Sequence, residues 1–143
     1  MIVYLDASSL IKFHIEEEGS GAVRSMMALA PSLIMSRVGY AEARSGLARA
    51  RDAGRLRDTA YRAARLTLDI QWAGIVIVDV SETLIQNASD LAERHLLRGF
   101  DSIHLASALL AQDQGGEPVT FSAWDSRLLV AAQTEGLVIA PNA

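Results

Sequence analysis

Residues 1–12 read MIVYLDASSLIK, an apolar run of strand type that ends at Asp6 and leads directly into residues suited to a helix. Four further apolar runs follow, and all five are nearly continuous rather than alternating with polar residues. Parallel strands that are covered on both faces have this pattern. The predicted strands are Ile2–Leu5, Leu33–Met35, Ile75–Val78, Val119–Phe121 and Leu137–Ile139.

Helix-forming segments separate these strands, and most begin at a polar residue that can accept a hydrogen bond from the first turn. The predicted starts are Ser8 or Ser9, Ser20, Ser36, Leu56, Ser81, Ser102 capped by Asp101, and the residue after Asp125. Strand and helix thus alternate along the chain. This alternation predicts an α/β fold, a three-layer α/β/α sandwich around a parallel five-stranded sheet, with residues 1–143 forming a single domain.

Composition excludes several classes of protein. The chain has no cysteine, so we expect neither disulfides nor zinc–thiolate sites nor thiol nucleophiles. It contains no apolar stretch long enough for a transmembrane helix, and it opens without a basic leader, which favours the cytoplasm and no membrane contact.

Charge is unevenly distributed. The net charge is −4, yet residues 44–65 hold seven arginines against two aspartates. The rest of the chain is therefore strongly acidic. This asymmetry predicts an acidic site on one part of the fold and a basic helical arm on another, although a solvated helix surface would explain the arginines alone.

Four acids fall where one crevice can collect them. Asp6 follows the first strand and Asp125 follows the fourth, while Glu42 and Asp101 lie on helices after other strands. The carboxyl ends of parallel strands line the ligand crevice of such a sheet. Two carboxylates about 4 Å apart repel by roughly 4 kcal/mol at an effective dielectric near 20, so a cluster requires a cation or protons.

Oxygen-only ligands favour hard cations, so Mg²⁺ or Mn²⁺ is the expected occupant, activating water for in-line attack on a phosphodiester. Each acid also has a purely structural interpretation. Asp6, Asp101 and Asp125 could be ordinary helix caps, and Glu42 a surface residue. Spacing alone leaves both interpretations open.

Blocks along the whole chain resemble PIN-domain proteins, specifically the VapC-type toxins of toxin–antitoxin pairs. Each of the four acids lies in one block, and the blocks appear in the order typical of the family. They are YLDASSLIK (4–12), EGS (18–20), SRVGYAEARSGL (36–47), GFDSIHLA (99–106), FSAWDSRL (121–128) and GLV (136–138). One position departs from the family pattern: Ala123 replaces the threonine two residues before the fourth acid.

The resemblance implies metal-dependent cleavage of RNA by a toxin endoribonuclease. Carried over residue by residue, Asp6, Glu42, Asp101 and Asp125 are its catalytic, metal-binding acids, with Mg²⁺ or Mn²⁺ as cofactor. It also implies an RNA substrate, a cognate antitoxin and a homodimer. We place an antitoxin groove or dimer surface on the helix pair between Arg37 and Gln71.

Three more residues carry expectations. Arg44 suits contact with RNA phosphate, and Ser8, beside the first acid, is a second candidate for substrate binding. His104 lies one turn after Asp101, so it is expected either to pack in the core or to orient that carboxylate.

Other acidic α/β proteins fit less well. A phosphoacceptor receiver domain needs paired acids after the first strand and a late lysine, whereas the only lysine is Lys12. A haloacid-dehalogenase phosphatase needs Asp-x-Asp, and this chain has Asp6-Ala7-Ser8. The remaining alternative is a catalytically silent PIN-like module that binds RNA or a protein.

Overall fold

The structure is a computed structural model that describes residues 1–141. Its strands all pair in parallel, in the order β3-β2-β1-β4-β5. The elements are β1 (Ile2–Leu5), α1 (Ala7–His14), α2 (Ser20–Leu29), β2 (Ser32–Ser36), α3 (Val38–Asp52), α4 (Asp58–Ala73), β3 (Val76–Val78), α5 (Glu82–His95), α6 (Gly99–Gly115), β4 (Val119–Ser122), α7 (Ser126–Thr134) and β5 (Val138–Ala140). Within residues 1–141, no helix combines the length and the apolar character needed to cross a membrane.

The first strand lies at the centre of the sheet. Val3 is in register with Leu33 of β2, and Leu5 is in register with Ser122 of β4. The carboxyl end of β1 is therefore flanked by the ends of two other strands. Asp6 follows β1 at this point, where an open parallel sheet offers its ligand crevice.

Alternate residues of the strands pack into two separate apolar clusters. Tyr4 belongs to the cluster under α5, α6 and α7, which includes Leu105 and Phe121. Its neighbours Val3 and Leu5 belong to the opposite cluster, under α1, α3 and α4. Because side chains of a strand point alternately to its two faces, these clusters are the two sides of one sheet. The predicted α/β/α sandwich with a five-stranded parallel sheet is confirmed.

Some boundaries differ from the sequence prediction. β3 and β5 each begin one residue later than predicted, and β4 continues through Ser122. The prediction that Ser20 caps α2 was wrong. Gly19 is the cap, in a left-handed conformation (φ 89°) that glycine adopts without strain. The Ser20 hydroxyl instead donates to the Ile15 carbonyl and closes the turn after α1.

The prediction that Asp101 caps α6 was also wrong. The helix begins at Gly99, three residues before the predicted start at Ser102, with Arg98 as its extended N-cap residue. Asp101 therefore lies within the first turn, where a carboxylate is favourable to the helix dipole. Its side chain accepts a hydrogen bond from Arg98 rather than from a backbone N–H group. Asp125 is confirmed as the cap of α7. Asp6, for which capping was one of two interpretations, caps α1, which begins at Ala7 rather than at Ser8 or Ser9.

Candidate active site

Four elements bring the predicted acids to one cavity at the carboxyl edge of the sheet. Asp6 follows β1, Asp125 follows β4, Glu42 lies one turn into α3, and Asp101 lies in the first turn of α6. All four line a cavity of about 950 Å³. Chain segments far apart in sequence thus meet at one edge, as the positions after the strands suggested.

Asp6 is the most deeply buried of these acids, with only 6% of its surface exposed. Its Oδ1 accepts hydrogen bonds from the Ser9 backbone N–H (3.0 Å) and from the Ser8 hydroxyl (2.6 Å). Burial raises the pKa of the Asp6 carboxyl, and the Ser8 hydrogen bond opposes that rise by lowering it. Nearby Asp101 raises the same pKa further. Asp6 therefore lies where its negative charge is poorly compensated.

The corner around Ala123 is built without the threonine of the family pattern. Ala123 is fully buried, and the neighbouring Ser122 directs its hydroxyl to the Ser9 hydroxyl at 2.8 Å. The backbone N–H of Asp6 donates to the Ser122 carbonyl at 3.1 Å. Asp6 is consequently held by the backbone of β4 and by its own helix, with Ser8 supplying the hydroxyl.

Glu42 is held by a histidine that the sequence did not connect with it. The Nε2 atom of His104 lies 2.6 Å from Glu42 Oε1, and only 1% of His104 is exposed. The other ring nitrogen, Nδ1, lies 2.7 Å from the Tyr4 hydroxyl. His104 is buried, as expected of a packing residue, but the carboxylate that it contacts is Glu42 and not Asp101. The two residues are 62 positions apart, so no local spacing indicates the pair.

Asp101 and Asp125 share one arginine. Arg98 Nε donates to Asp101 Oδ2 at 2.9 Å, and its Nη2 lies 3.7 Å from Asp125 Oδ2. These contacts raise the pKa of the Arg98 guanidinium, chiefly through the hydrogen bond to Asp101. The Arg98 side chain is 78% exposed. Sequence reasoning missed this residue, although an arginine three positions before a first-turn acid is a recognisable helix pair.

The two predicted substrate-binding residues have different places. Ser8 lines the cavity with its hydroxyl committed to Asp6. Arg44 is exposed, stacks over the Tyr40 ring at 5.7 Å, and is absent from the cavity lining. Arg49, one and a half turns later on α3, does line the cavity. Arg49 therefore brings a positive charge of the arginine-rich segment 44–65 to the acidic cavity.

Trp124, the residue before Asp125, also lines the cavity. Lys12 Nζ lies 4.8 Å from the centre of its ring, and Gly19 packs so closely against the ring that a Cβ atom would not fit. These contacts hold the Trp124 ring by packing. Its face towards the cavity also offers an apolar surface next to the acids.

The donor chemistry of the cavity suits a hard divalent cation, because its acids supply only oxygen atoms. In the arrangement described for residues 1–141, however, no three His, Asp or Glu side chains lie close enough together to hold one ion. Asp6 Oδ2 and Asp101 Oδ1 nevertheless accept no hydrogen bond from any described residue, so each of these acids keeps one oxygen that a cation could use.

The chain is similar to known proteins over most of its length. A sequence profile of the PIN domain matches residues 3–115. Two curated relatives from Mycobacterium tuberculosis, Ribonuclease VapC45 (strain CDC 1551 / Oshkosh) and Ribonuclease VapC49 (strain ATCC 25618 / H37Rv), are each 34% identical to the chain. Each alignment covers 98% of this chain and 95% of the relative.

Solved structures share the fold at much lower identity. VapC20 of Mycobacterium tuberculosis, described as a sarcin-ricin loop cleaving toxin, superposes with a TM-score of 0.68 at 18% identity, covering 95% of this chain and 96% of that one. A toxin-antitoxin complex from Klebsiella pneumoniae has a chain that superposes with a TM-score of 0.60 at 16% identity, covering 87% of each. At such identities the likeness shows the architecture alone.

Proposed function

The chain belongs to the PIN-domain family, and from that membership we propose that it is a metal-dependent endoribonuclease, the toxin of a toxin–antitoxin pair. The observation that carries the proposal is the convergence of Asp6, Glu42, Asp101 and Asp125 on one cavity. The two relatives above are ribonucleases by name and align over nearly the whole chain. The reaction is hydrolysis of an RNA phosphodiester bond.

The acids are the proposed ligands of Mg²⁺ or Mn²⁺. A bound ion of this kind supplies positive charge that neutralises the phosphodiester and makes water easier to deprotonate. Asp6 and Glu42 would offer the ion oxygens whose positions are fixed by the hydrogen bonds of Ser8, Ser9 and His104. Asp101 would share the ion's site with Arg98, whose exposed guanidinium could also contact the RNA backbone.

Basic and apolar groups around the acids are the proposed contacts for RNA. Arg49 lines the cavity and can pair with a phosphate next to the bond that is cut. Arg44 lies outside the lining, and we assign it to a more distant phosphate. Ser8 acts on substrate through the position of Asp6, to which its hydroxyl is bound. Trp124 offers a ring face for a base.

We also propose a cognate antitoxin, a homodimer and a cytoplasmic site of action. One face of α4 supports the assignment of an interface to the helix pair α3–α4. Leu66 and Ile70, one turn apart on that helix, are 69% and 76% exposed. Apolar side chains at this spacing form a stripe that a partner helix can cover. Co-purification with the product of an adjacent open reading frame, and the mass of the purified protein in solution, test these assignments.

A catalytically silent binding module is the second candidate. The observation in its favour is that the acids of the described structure are held by Arg98 and His104 rather than gathered in threes around one point. Such a module would bind RNA or protein through the same cavity and leave the substrate intact.

One experiment separates the candidates: cleavage of a labelled RNA panel by purified protein with Mg²⁺, Mn²⁺ or EDTA. Asp6→Asn and Asp101→Asn are compared with Asp113→Asn, which changes an exposed acid of α6 outside the cavity. The nuclease proposal expects metal-dependent cutting that the first two variants lose and the third keeps. Folded, antitoxin-free wild type that cuts nothing with either metal would favour the silent module.

A further inference from the structure

A buried chain of hydrogen bonds connects the sheet to the second acid. The Ser36 backbone N–H donates to the Tyr4 hydroxyl at 3.0 Å. That hydroxyl lies 2.7 Å from His104 Nδ1, and His104 Nε2 lies 2.6 Å from Glu42 Oε1. Ser36 and Tyr4 are fully buried, and the chain ends at Glu42, whose side chain is 31% exposed at the cavity. One end is thus anchored in β1 and β2, and the other faces the site.

The donors and acceptors of this chain have one consistent direction. Because the Tyr4 oxygen accepts from Ser36, its own hydrogen is available for His104 Nδ1. An imidazole that accepts at Nδ1 carries its hydrogen on Nε2 and donates it to Glu42.

Packing fixes the rings through which the chain runs. The Tyr4 ring stacks on Phe121 with a centroid distance of 5.4 Å, and its edge contact with His104 spans 5.9 Å. Gly39, in the first turn of α3, leaves room for the end of the Met35 side chain, which a Cβ atom there would meet at 2.6 Å. Both rings are buried. Buried, fully paired polar groups of this kind rigidify the site that they support.

From this geometry we infer that His104, itself held by Tyr4, is a positioning residue for Glu42. It holds Oε1 and leaves Oε2, which has no hydrogen-bond partner among the described residues, to face the cavity. The inference rests on the proposed metal-dependent function of the site. β1 would thus support two acids: Asp6 directly follows the strand, and Tyr4 within the strand orients Glu42 through His104.

The test measures binding of Mn²⁺ alone, detected through the EPR signal of the free ion. It compares wild type with His104→Leu, His104→Gln and Glu42→Gln. We expect His104→Leu to weaken Mn²⁺ binding by about 10–100-fold, the range typical when a partner of a metal ligand is lost. His104→Gln should recover most of the loss, because its amide offers both an acceptor for Tyr4 and a donor for Glu42. Single-turnover cleavage should slow accordingly, while RNA affinity stays unchanged.

A double variant separates positioning from a general structural effect. If His104 acts through Glu42, His104→Leu has no further effect on Mn²⁺ binding once Glu42→Gln is present. Tyr4→Phe keeps the stacked ring and removes only the hydroxyl, so it should fold and show a loss smaller than that of His104→Leu. Circular dichroism and thermal unfolding accompany each variant, and His104→Gln and Tyr4→Phe carry the test if His104→Leu is unfolded.

Three outcomes would overturn the inference. Wild-type Mn²⁺ affinity in a folded His104→Leu, or in a folded Tyr4→Phe if His104→Leu does not fold, would show that Glu42 needs no such support. An equal loss with and without Glu42 would show a structural role instead. In both cases metal-dependent cleavage by wild type leaves the proposed function intact. Wild type that neither binds Mn²⁺ nor cuts RNA overturns the proposed function and this inference together.

Discussion

The two halves of the cavity hold their acids in different ways. The inner pair, Asp6 and Glu42, contacts groups of the fold itself: a hydroxyl and a backbone N–H at Asp6, and the buried imidazole of His104 at Glu42. The outer pair, Asp101 and Asp125, lies beside the exposed guanidinium of Arg98, and Asp125 also accepts from the Leu128 N–H. Under the proposed function, Arg98 would therefore compete with a cation for the outer pair, whereas no guanidinium of the described residues contacts the inner pair.

The largest expected effect tests whether the inner pair matters more. Asp6→Asn should reduce single-turnover RNA cleavage by more than the roughly 10–100-fold associated with losing a mere partner of a metal ligand. Asp125→Asn, at the exposed rim, should cause a loss of cleavage rate that is at least about tenfold smaller than the loss caused by Asp6→Asn. Both variants keep a residue that can cap a helix, so both should fold. Equal losses would remove the functional distinction between the two pairs.

A second effect concerns stability rather than activity. Burial raises the pKa of Asp6, so the folded state holds this proton more tightly than the unfolded state. Stability from this group is therefore highest below the ordinary pKa and falls as pH rises through the raised pKa. In EDTA, Asp6→Asn should melt above wild type at neutral pH, and the difference should close towards acid. A difference in melting temperature that is constant with pH would mean that the carboxylate is not destabilised.

Arg98 provides the direct test of release in the outer pair. Removing its guanidinium by Arg98→Ala should tighten Mn²⁺ binding by up to about fivefold, the scale of one exposed ion pair. The gain should shrink at high salt. Arg127→Ala is the matched control, because Arg127 carries the same charge near Asp125 but lies outside the cavity lining. Equal tightening in both variants would indicate net charge alone.

The smallest expected effect concerns the contact between α5 and α7, the helix that Asp125 caps. Glu135, at the end of α7, accepts from His95 and Arg94 of α5, and these contacts lower the pKa of Glu135. Stability from this group is present above its ordinary pKa and is lost as pH falls through the lowered value. Glu135→Gln should cost about 0.5–1 kcal/mol in urea unfolding at neutral pH. Glu93→Gln, exposed on α5, is the control and should change the free energy by less.

Sequence patterns predicted what depends on local chemistry. Continuous apolar runs predicted the five parallel strands, and the Asx caps at Asp6 and Asp125 were placed correctly because a cap depends on the next three residues. The start of α6 was misplaced because the same local rule was applied to Asp101. Gly99 and Phe100 carry no strong helix signal, and the carboxylate of Asp101 was taken for a cap when its partner is Arg98.

Long-range contacts were beyond sequence reasoning. The position of His104 one turn after Asp101 suggested a local pairing, yet its partner Glu42 lies on α3. Only the packing of α6 against the sheet brings the ring between Tyr4 and that acid. Likewise, the pattern of arginines did not show that Arg49 lines the cavity and that Arg44 does not. The sequence therefore predicted which acids line the cavity, but not which donors contact those acids.

The central place of β1 has a consequence during synthesis on the ribosome. β1 is translated long before β4, yet Leu5 pairs with Ser122 and the Asp6 N–H donates to the Ser122 carbonyl. At about 5–20 residues per second, roughly 6–25 seconds separate the two strands at the ribosome. The acids cannot meet in that interval. A growing chain thus lacks the assembled acidic cavity, and under the proposed function it could cut no RNA until β4 has left the exit tunnel.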